Sequence, residues 1–377
     1  MDFDSLQTPC LVIDERIATS NIKRMQEAAD ASGCRLRPHI KTHKTVRFAL
    51  AQVAAGAIGI TCAKVSEAEV MADGGLDDIF IAYPIIGKAR TKRVIELSRR
   101  VKRLILSVDS LEGALALSAY ASEAGVSLEV RLEVDTGAGR TGVALGDTAR
   151  LAVQISELGN LRLTGIYSFK GLRLQGLPTL DRQLAAEEEG AIMASAAQAI
   201  RGAGVSITDV SAGSTPTGIP VAQTGKVNEI RPGTYIYNDQ MMVDEGAAKF
   251  EEIAARIYVT VVSANKKDLA VVDGGSKTFP ADTPLGSKPL CYDTYAFADG
   301  VFRNGKEAQV SGLKLDRMNE EHGIITSRNG ETGLAVGDVI RLIPVHVCTA
   351  VNMQNEVLIL SDSGLEVQKV DARGMLQ

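Results

Sequence analysis

The chain has 377 residues, a formal net charge of −5, and 45% hydrophobic and 23% charged residues. That is an ordinary globular composition, long enough for a large core and in keeping with two domains. Aromatic residues make up only 4%, tryptophan is absent, and no dense basic patch occurs, so nucleic acid is not an expected partner. The acidic opening Met1-Asp2-Phe3-Asp4 is unlike a secretory leader, and no apolar run approaches membrane-spanning length. The five cysteines, Cys10, Cys34, Cys62, Cys291 and Cys348, are odd in number and scattered, which fits reduced thiols in a cytoplasmic protein.

In chain order, short apolar runs predict strands at Pro38–Lys41, Ile58–Cys62, Ile79–Ala82, Leu104–Val108, Leu128–Val134, Leu163–Ser168, Ile207–Ser211 and Val227–Ile230. The segments between them read as amphipathic helices. One runs through Ser66-Glu67-Ala68-Glu69-Val70-Met71-Ala72, with Ser66 as its expected cap and Gly74-Gly75 as its stop. Gln183-Leu184-Ala185-Ala186-Glu187-Glu188-Glu189 reads as the solvated face of another. Eight strand-helix alternations predict a (β/α)8 TIM-like barrel, and no GxGxxG follows an early strand to support a doubly wound alternative.

Beyond about Met242 the pattern changes. Runs such as Ile257-Tyr258-Val259-Thr260-Val261-Val262 and Glu356-Val357-Leu358-Ile359-Leu360, separated by Gly, Asn and Asp turns, predict a mostly β domain. The division expected is residues 1–240 for the barrel and 241–377 for the β domain, with the extreme N-terminus open to joining the latter.

A barrel gathers its chemistry at the carboxyl ends of its strands. Lys41 closes the first predicted strand, Arg140 follows the fifth, Tyr167 lies at the end of the sixth, Gly213-Ser214 follows the seventh and Arg231-Pro232-Gly233-Thr234 follows the eighth. Either glycine run alone is as readily a tight turn. Two on adjacent strands, opposite a lysine able to form a Schiff base, point to a phosphorylated aldehyde cofactor. In the β half, His346-Val347-Cys348 places two metal-grade donors two residues apart, on one face if the segment is a strand. A packed histidine and a buried thiol are the alternative.

These residues identify a resemblance. Thr8-Pro9-Cys10-Leu11-Val12-Ile13-Asp14, Arg37-Pro38-His39-Ile40-Lys41-Thr42-His43-Lys44, Val134-Asp135-Thr136-Gly137, Arg231-Pro232-Gly233, Asp273-Gly274-Gly275-Ser276-Lys277, Glu321-His322-Gly323 and the His346/Cys348 pair are similar to motifs of the pyridoxal-phosphate enzymes with an alanine-racemase-type barrel. Within these the chain resembles the D-threonine aldolase and D-serine dehydratase family. The resemblance implies that Lys41 forms the Schiff base, that Gly213, Ser214, Gly233 and Thr234 cradle the phosphate of pyridoxal 5′-phosphate, and that Tyr167 and Arg140 lie near the ring. It also implies that Arg231 faces the pyridine nitrogen. An arginine keeps its proton, so the ring nitrogen would stay unprotonated and the ring would be a weaker electron sink. A divalent metal on His346 and Cys348 would compensate by polarising a substrate β-hydroxyl, and thiolate with imidazole suits zinc, with manganese as the other candidate. Homodimer formation is implied as well.

Two reactions share this apparatus: dehydration of a β-hydroxy-D-amino acid to a keto acid and ammonia, and retro-aldol cleavage to glycine and an aldehyde. Aldolase-type members carry a histidine a few residues beyond the glycine after the sixth strand, where this chain has Gln175. They also often use an aspartate where it has Cys348. Both departures lean toward dehydration. His322 is open between a role near the metal and a turn, and Lys277 between a substrate contact and a surface lysine. A racemase would need a second base, for which Tyr292 and Tyr295 are candidates, and would have no use for the metal pair. A non-catalytic pyridoxal-phosphate-binding module would not need the second domain.

Overall fold

The computed structural model describes residues 6–282, 289–308 and 312–377. The chain divides into two compact units. One comprises Ile22–Lys41, Thr45–Gly233 and Met375–Gln377, and the other the residues up to Asn21, Thr42–Lys44 and Thr234–Gly374.

The first unit is a barrel of eight parallel strands. In chain order they are Arg35–Leu36, Ile60–Cys62, Asp78–Pro84, Arg103–Val108, Leu128–Glu133, Leu161–Tyr167, Asp209–Ala212 and Glu229–Ile230. Each neighbour pair is parallel, the eighth strand returns to the first, and a single parallel bridge between His39 and Thr61 closes the ring between first and second. The first strand lies earlier than the sequence predicts. Pro38 has no N–H to give a ladder, so regular pairing stops at Leu36, and Lys41 lies in a turn beyond the bridge.

The barrel interior is not the branched aliphatic filling usual for such folds. Alternate residues Glu129, Arg131 and Glu133 of the fifth strand share one face, and Arg131 and Glu229 are fully buried. Arg131 pairs with Glu229 and with Asp209, the latter at 2.7 Å, while Arg37 reaches Glu229 at 3.1 Å and Asp78 at 2.6 Å. Toward the amino ends, Arg103 holds Glu129 at 2.6 Å and Arg35 holds Asp209 at 2.8 Å. Arg37, Arg131, Glu129, Asp209 and Glu229 each have an opposite partner, the condition under which a dry ion is tolerated, whereas Glu133 is bonded instead to the Thr141 hydroxyl, at 2.9 Å. Phe80, Ile105 and Tyr167 form an apolar cluster beside it.

Two local expectations are corrected. Ser66 does not cap its helix, which spans Val65–Asp73 behind Lys64; Ser66 lies inside it and its hydroxyl donates to the Gln377 carbonyl at 2.9 Å, while Glu67 accepts the Ala63 N–H at 2.7 Å. Nor is the Gln183–Glu189 stretch simply a solvated face. In the helix Arg182–Gly202, Ala185, Ala186 and Glu189 are fully buried.

The second unit is built on a ten-stranded, mainly antiparallel sheet. Six strands, Ala255–Ser263, Leu269–Val272, Gly323–Ser327, Leu313–Met318, Ala296–Arg303 and Val339–Pro344, pair in succession and return to the first. The N-terminal strand Cys10–Asp14 adds to Ala255–Ser263 antiparallel and to Glu356–Ser361 parallel, so the start of the chain is part of this sheet. Alternating buried side chains such as Ile257, Val259 and Val261 supply the core that the sequence pattern announced.

Candidate active site

In the barrel unit, the aromatic ring of Phe169, just past the sixth strand, is a common platform. The Lys41 ammonium lies 5.4 Å and the Arg140 guanidinium 4.8 Å from its centroid. Two sequence-predicted residues from distant parts of the unit's sequence are thereby brought together. The Lys41 N–H also donates to His39 Nδ1 at 3.3 Å.

Tyr167 is buried at the end of the sixth strand, where its hydroxyl meets that of Ser107 at 2.5 Å. Burial, with Glu133 beside it, pushes its pKa well above the ordinary tyrosine value, so it serves as a hydrogen-bonding neutral phenol. Arg231 stacks over this ring at 5.1 Å and is 7% exposed. Its Nη1 donates to Ser211 Oγ at 2.6 Å and its Nη2 to the Ser168 carbonyl. Burial depresses the Arg231 pKa against the pull of Glu229, but a guanidinium starts far above neutrality and remains charged.

The turn after the seventh strand needs glycine at position 213. Gly213 has φ +87°, and a Cβ there would lie 2.8 Å from the Gly218 Cα and 2.9 Å from Val221 Cγ1. Ser214 next to it is tied to Thr217, with its N–H and its hydroxyl each 3.0 Å from Thr217 Oγ1. Gly233, after the eighth strand, is buried beside Pro232, whose carbonyl accepts the His39 N–H at 2.9 Å. Primary amine, small-residue hydroxyl turn and fixed guanidinium are a donor set that suits a phosphorylated aldehyde.

Gln175 lies at the tip of a hairpin formed by Arg173–Leu174 and Leu177–Pro178. It is exposed, with φ 51°, and its N–H donates to Glu188 at 3.0 Å.

In the other unit the His346/Cys348 pair does not sit on a strand. The strand ends at Pro344, and Cys348 opens the helix Cys348–Met353. The strand-face argument for the pair therefore fails, yet the strand-to-helix corner still brings the imidazole and the thiol together, with Cys348 among the groups that raise the His346 pKa well above normal against the opposing effect of burial. His346 Nδ1 is 3.0 Å from Asp282 Oδ2, and Thr349 Oγ1 donates to the other Asp282 oxygen at 2.6 Å. Burial raises the Asp282 carboxyl, but these bonds outweigh it and hold it below its ordinary range. With Nδ1 facing a carboxylate, the remaining ring nitrogen is the metal-competent one. Thr42 Oγ1 lies 3.2 Å and Thr234 Oγ1 3.7 Å from Cys348 Sγ, so Thr234, predicted to touch phosphate, borders the thiol. Among the described residues no group of three or more His, Cys, Asp or Glu side chains is arranged to hold a metal. The donor set fits a cation held by two protein ligands with positions left open.

Lys277 pairs with Glu321 at 2.6 Å and Glu320 at 3.1 Å on the surface, and His322 closes the adjoining turn, its carbonyl accepting the Asn319 N–H at 2.8 Å. Tyr292 donates to Asp244 at 2.7 Å, and burial together with that bond raises its pKa, which is unfavourable for a racemase base. Glu189 is the residue near Arg231 that sequence reasoning missed; a glutamate three positions behind two buried alanines was its only signal.

Comparison with known proteins places this geometry. Residues 13–240 match the model described as alanine racemase, N-terminal domain, and residues 254–360 the putative serine dehydratase domain. The chain belongs to this family of pyridoxal-phosphate lyases of D-amino acids. It is 35% identical to D-threo-3-hydroxyaspartate dehydratase of Delftia sp. (strain HT23) over 91% of each chain, and 30% identical to D-threonine aldolase of Arthrobacter sp over 98% of this chain and 93% of the other. The solved structure of the Delftia enzyme superposes with a TM-score of 0.87 at 34% identity, covering 97% of this chain and 98% of that one. Further structures of D-threo-3-hydroxyaspartate dehydratase carry alanine in place of a cysteine, in a metal-free form, or of a histidine two positions before it. No helix among the described residues is long and apolar enough to cross a membrane.

Proposed function

We propose that the chain is a pyridoxal-phosphate-dependent, divalent-metal-assisted lyase that dehydrates a β-hydroxy-D-amino acid to a keto acid and ammonia. The observation that carries this reading is the His346/Cys348 corner, where Asp282 orients the imidazole beside the Cys348 thiol, a pair of metal-grade donors. When bound, the cofactor withdraws electrons from the substrate α-carbon and the cation polarises the β-hydroxyl. Lys41 would hold the cofactor through its aldehyde, and its freed amine would take the substrate α-proton. Gly213, Ser214, Gly233 and Thr234 would bind the phosphate, Arg140 and Tyr167 would lie near the ring, and Arg231, facing the pyridine nitrogen, would keep it unprotonated. His346 and Cys348 hold the cation, for which a thiolate and an imidazole favour zinc over manganese.

The aldolase reading is supported by the relative named D-threonine aldolase. It is weakened by Gln175, whose amide cannot take the hydroxyl proton. The deciding experiment incubates D-serine, D-threonine and D-threo-3-hydroxyaspartate with the enzyme, with and without chelator, and scores keto acid and ammonia against glycine and aldehyde. Keto acid and ammonia are expected; glycine and aldehyde as main products would make the chain an aldolase, and Gln175→His should move the ratio in that direction. The protein is further proposed to act in the cytoplasm as a homodimer, which sedimentation under assay conditions checks.

A further inference from the structure

Arg231 is held from two sides by the same arrangement: a serine backed by a buried glutamate. On one side its Nη1 donates to Ser211 Oγ, and that hydroxyl donates to Glu229 Oε1 at 2.6 Å. On the other its Nη2 donates to the Ser168 carbonyl, and the Ser168 hydroxyl donates to Glu189 Oε1 at 2.9 Å. The two glutamates are not equivalent. Glu229 already faces two guanidinium groups, Arg131 and Arg37, so its charge is balanced within the barrel. Glu189, fully buried on the helix Arg182–Gly202, has no guanidinium of its own; the cations near it are Arg231 and Lys170, and Lys170 is paired with Glu188. Among the described residues its Oε2 has no hydrogen-bond partner. A buried carboxylate with an unmade bond is expensive, and packing gives no reason to keep one where glutamine or leucine would serve.

We infer that Glu189 is a positioning residue for the cofactor: as the buried counter-charge of Arg231, acting through Ser168, it sets the potential at the pyridine end. The inference rests on the proposed binding of pyridoxal phosphate in the barrel. Burial raises the Glu189 carboxyl while the Ser168 bond, Arg231 and Lys170 pull it down; ionised, it offsets the Arg231 cation, and removing that charge leaves the ring in a more positive field, which disfavours the protonated imine on Lys41.

The test is spectroscopic. Wild type, Glu189→Gln and Ser168→Ala are each reconstituted with pyridoxal 5′-phosphate, their folding is checked by thermal melting, and the visible imine band is titrated with pH. Glu189→Gln keeps the shape and the serine contact but not the charge. It is expected to lower the apparent pKa of the band by about one unit and to weaken cofactor binding roughly tenfold. Ser168→Ala, whose backbone carbonyl still accepts from Arg231, should shift the band the same way by less. An unchanged titration in both variants, whatever their melting temperatures, overturns the assignment; if Glu189→Gln does not fold, Ser168→Ala decides alone. Absence of the band in wild type would instead sink the cofactor reading and the role of Glu189 with it.

Discussion

At Lys41 and Cys348 single substitutions separate cofactor binding from metal chemistry. Lys41→Ala is expected to abolish the visible imine band formed with pyridoxal phosphate, because the amine beside Phe169 is the one placed to condense with the aldehyde. Borohydride reduction followed by peptide mapping checks this, and label on Lys44 would contradict it. Cys348→Ala, or chelation, should leave that band intact while turnover falls on the order of hundredfold, the several kcal/mol expected for loss of hydroxyl polarisation. Absorbance and product release measured on the same sample test both halves. The sequence placed Tyr167 at a strand end, where the structure has it, and expected Lys41 at another, whereas Lys41 lies in a turn past a strand that ends at Leu36. Glu189 was not legible in the sequence, because a charge in a helical run reads as solvated until the fold shows what covers it.

At the level of elements, the charged tier across the barrel strands is the feature that apolar periodicity could not reveal. The alternation Glu129, Arg131, Glu133 has the period of a strand, but its inward face carries charge, and a pattern search assigns charge to the outside. The corner at His346 and Cys348 misled for the opposite reason. A β-rich run through Pro344 looks continuous with the next four residues, whereas Cys348 already starts a helix. Because Arg131 is buried and holds both Glu229 and Asp209, Arg131→Met should cost up to about 3–5 kcal/mol, the range for breaking a buried ion pair, reduced by the partners that stay, Arg37 on Glu229 and Arg35 on Asp209. Urea unfolding followed by circular dichroism measures it, and a loss below about 1 kcal/mol would show that the tier relaxes around the gap.

For the molecule as a whole, the same carboxylates set the response to acid. Burial raises Glu229, Asp209 and Glu129, but their arginine partners overcome it and hold all three below the ordinary carboxylate range. The folded protein therefore binds fewer protons than the unfolded chain, and this part of the stability is present above pH ~4 and is lost as the pH falls through the depressed values. Glu133 and Glu189, raised by burial, act in the other direction and cost stability as the pH rises through their own values. Urea midpoints should thus be highest on the mildly acidic side of neutrality and collapse below pH ~4; a midpoint that climbs below that point would refute the argument.

The strand that precedes Lys41 is, with the eighth, the shortest of the ring. The first strand contributes only two paired residues toward the eighth and one bridge toward the second. A staves-and-hoop vessel opens at its narrowest stave, and here that stave carries the amine. A bond formed at Lys41 would act next to this short strand, so that cofactor binding would stabilise the closed ring. The apoprotein should then be cut faster by a protease than the cofactor-loaded protein, which limited proteolysis of the two forms checks.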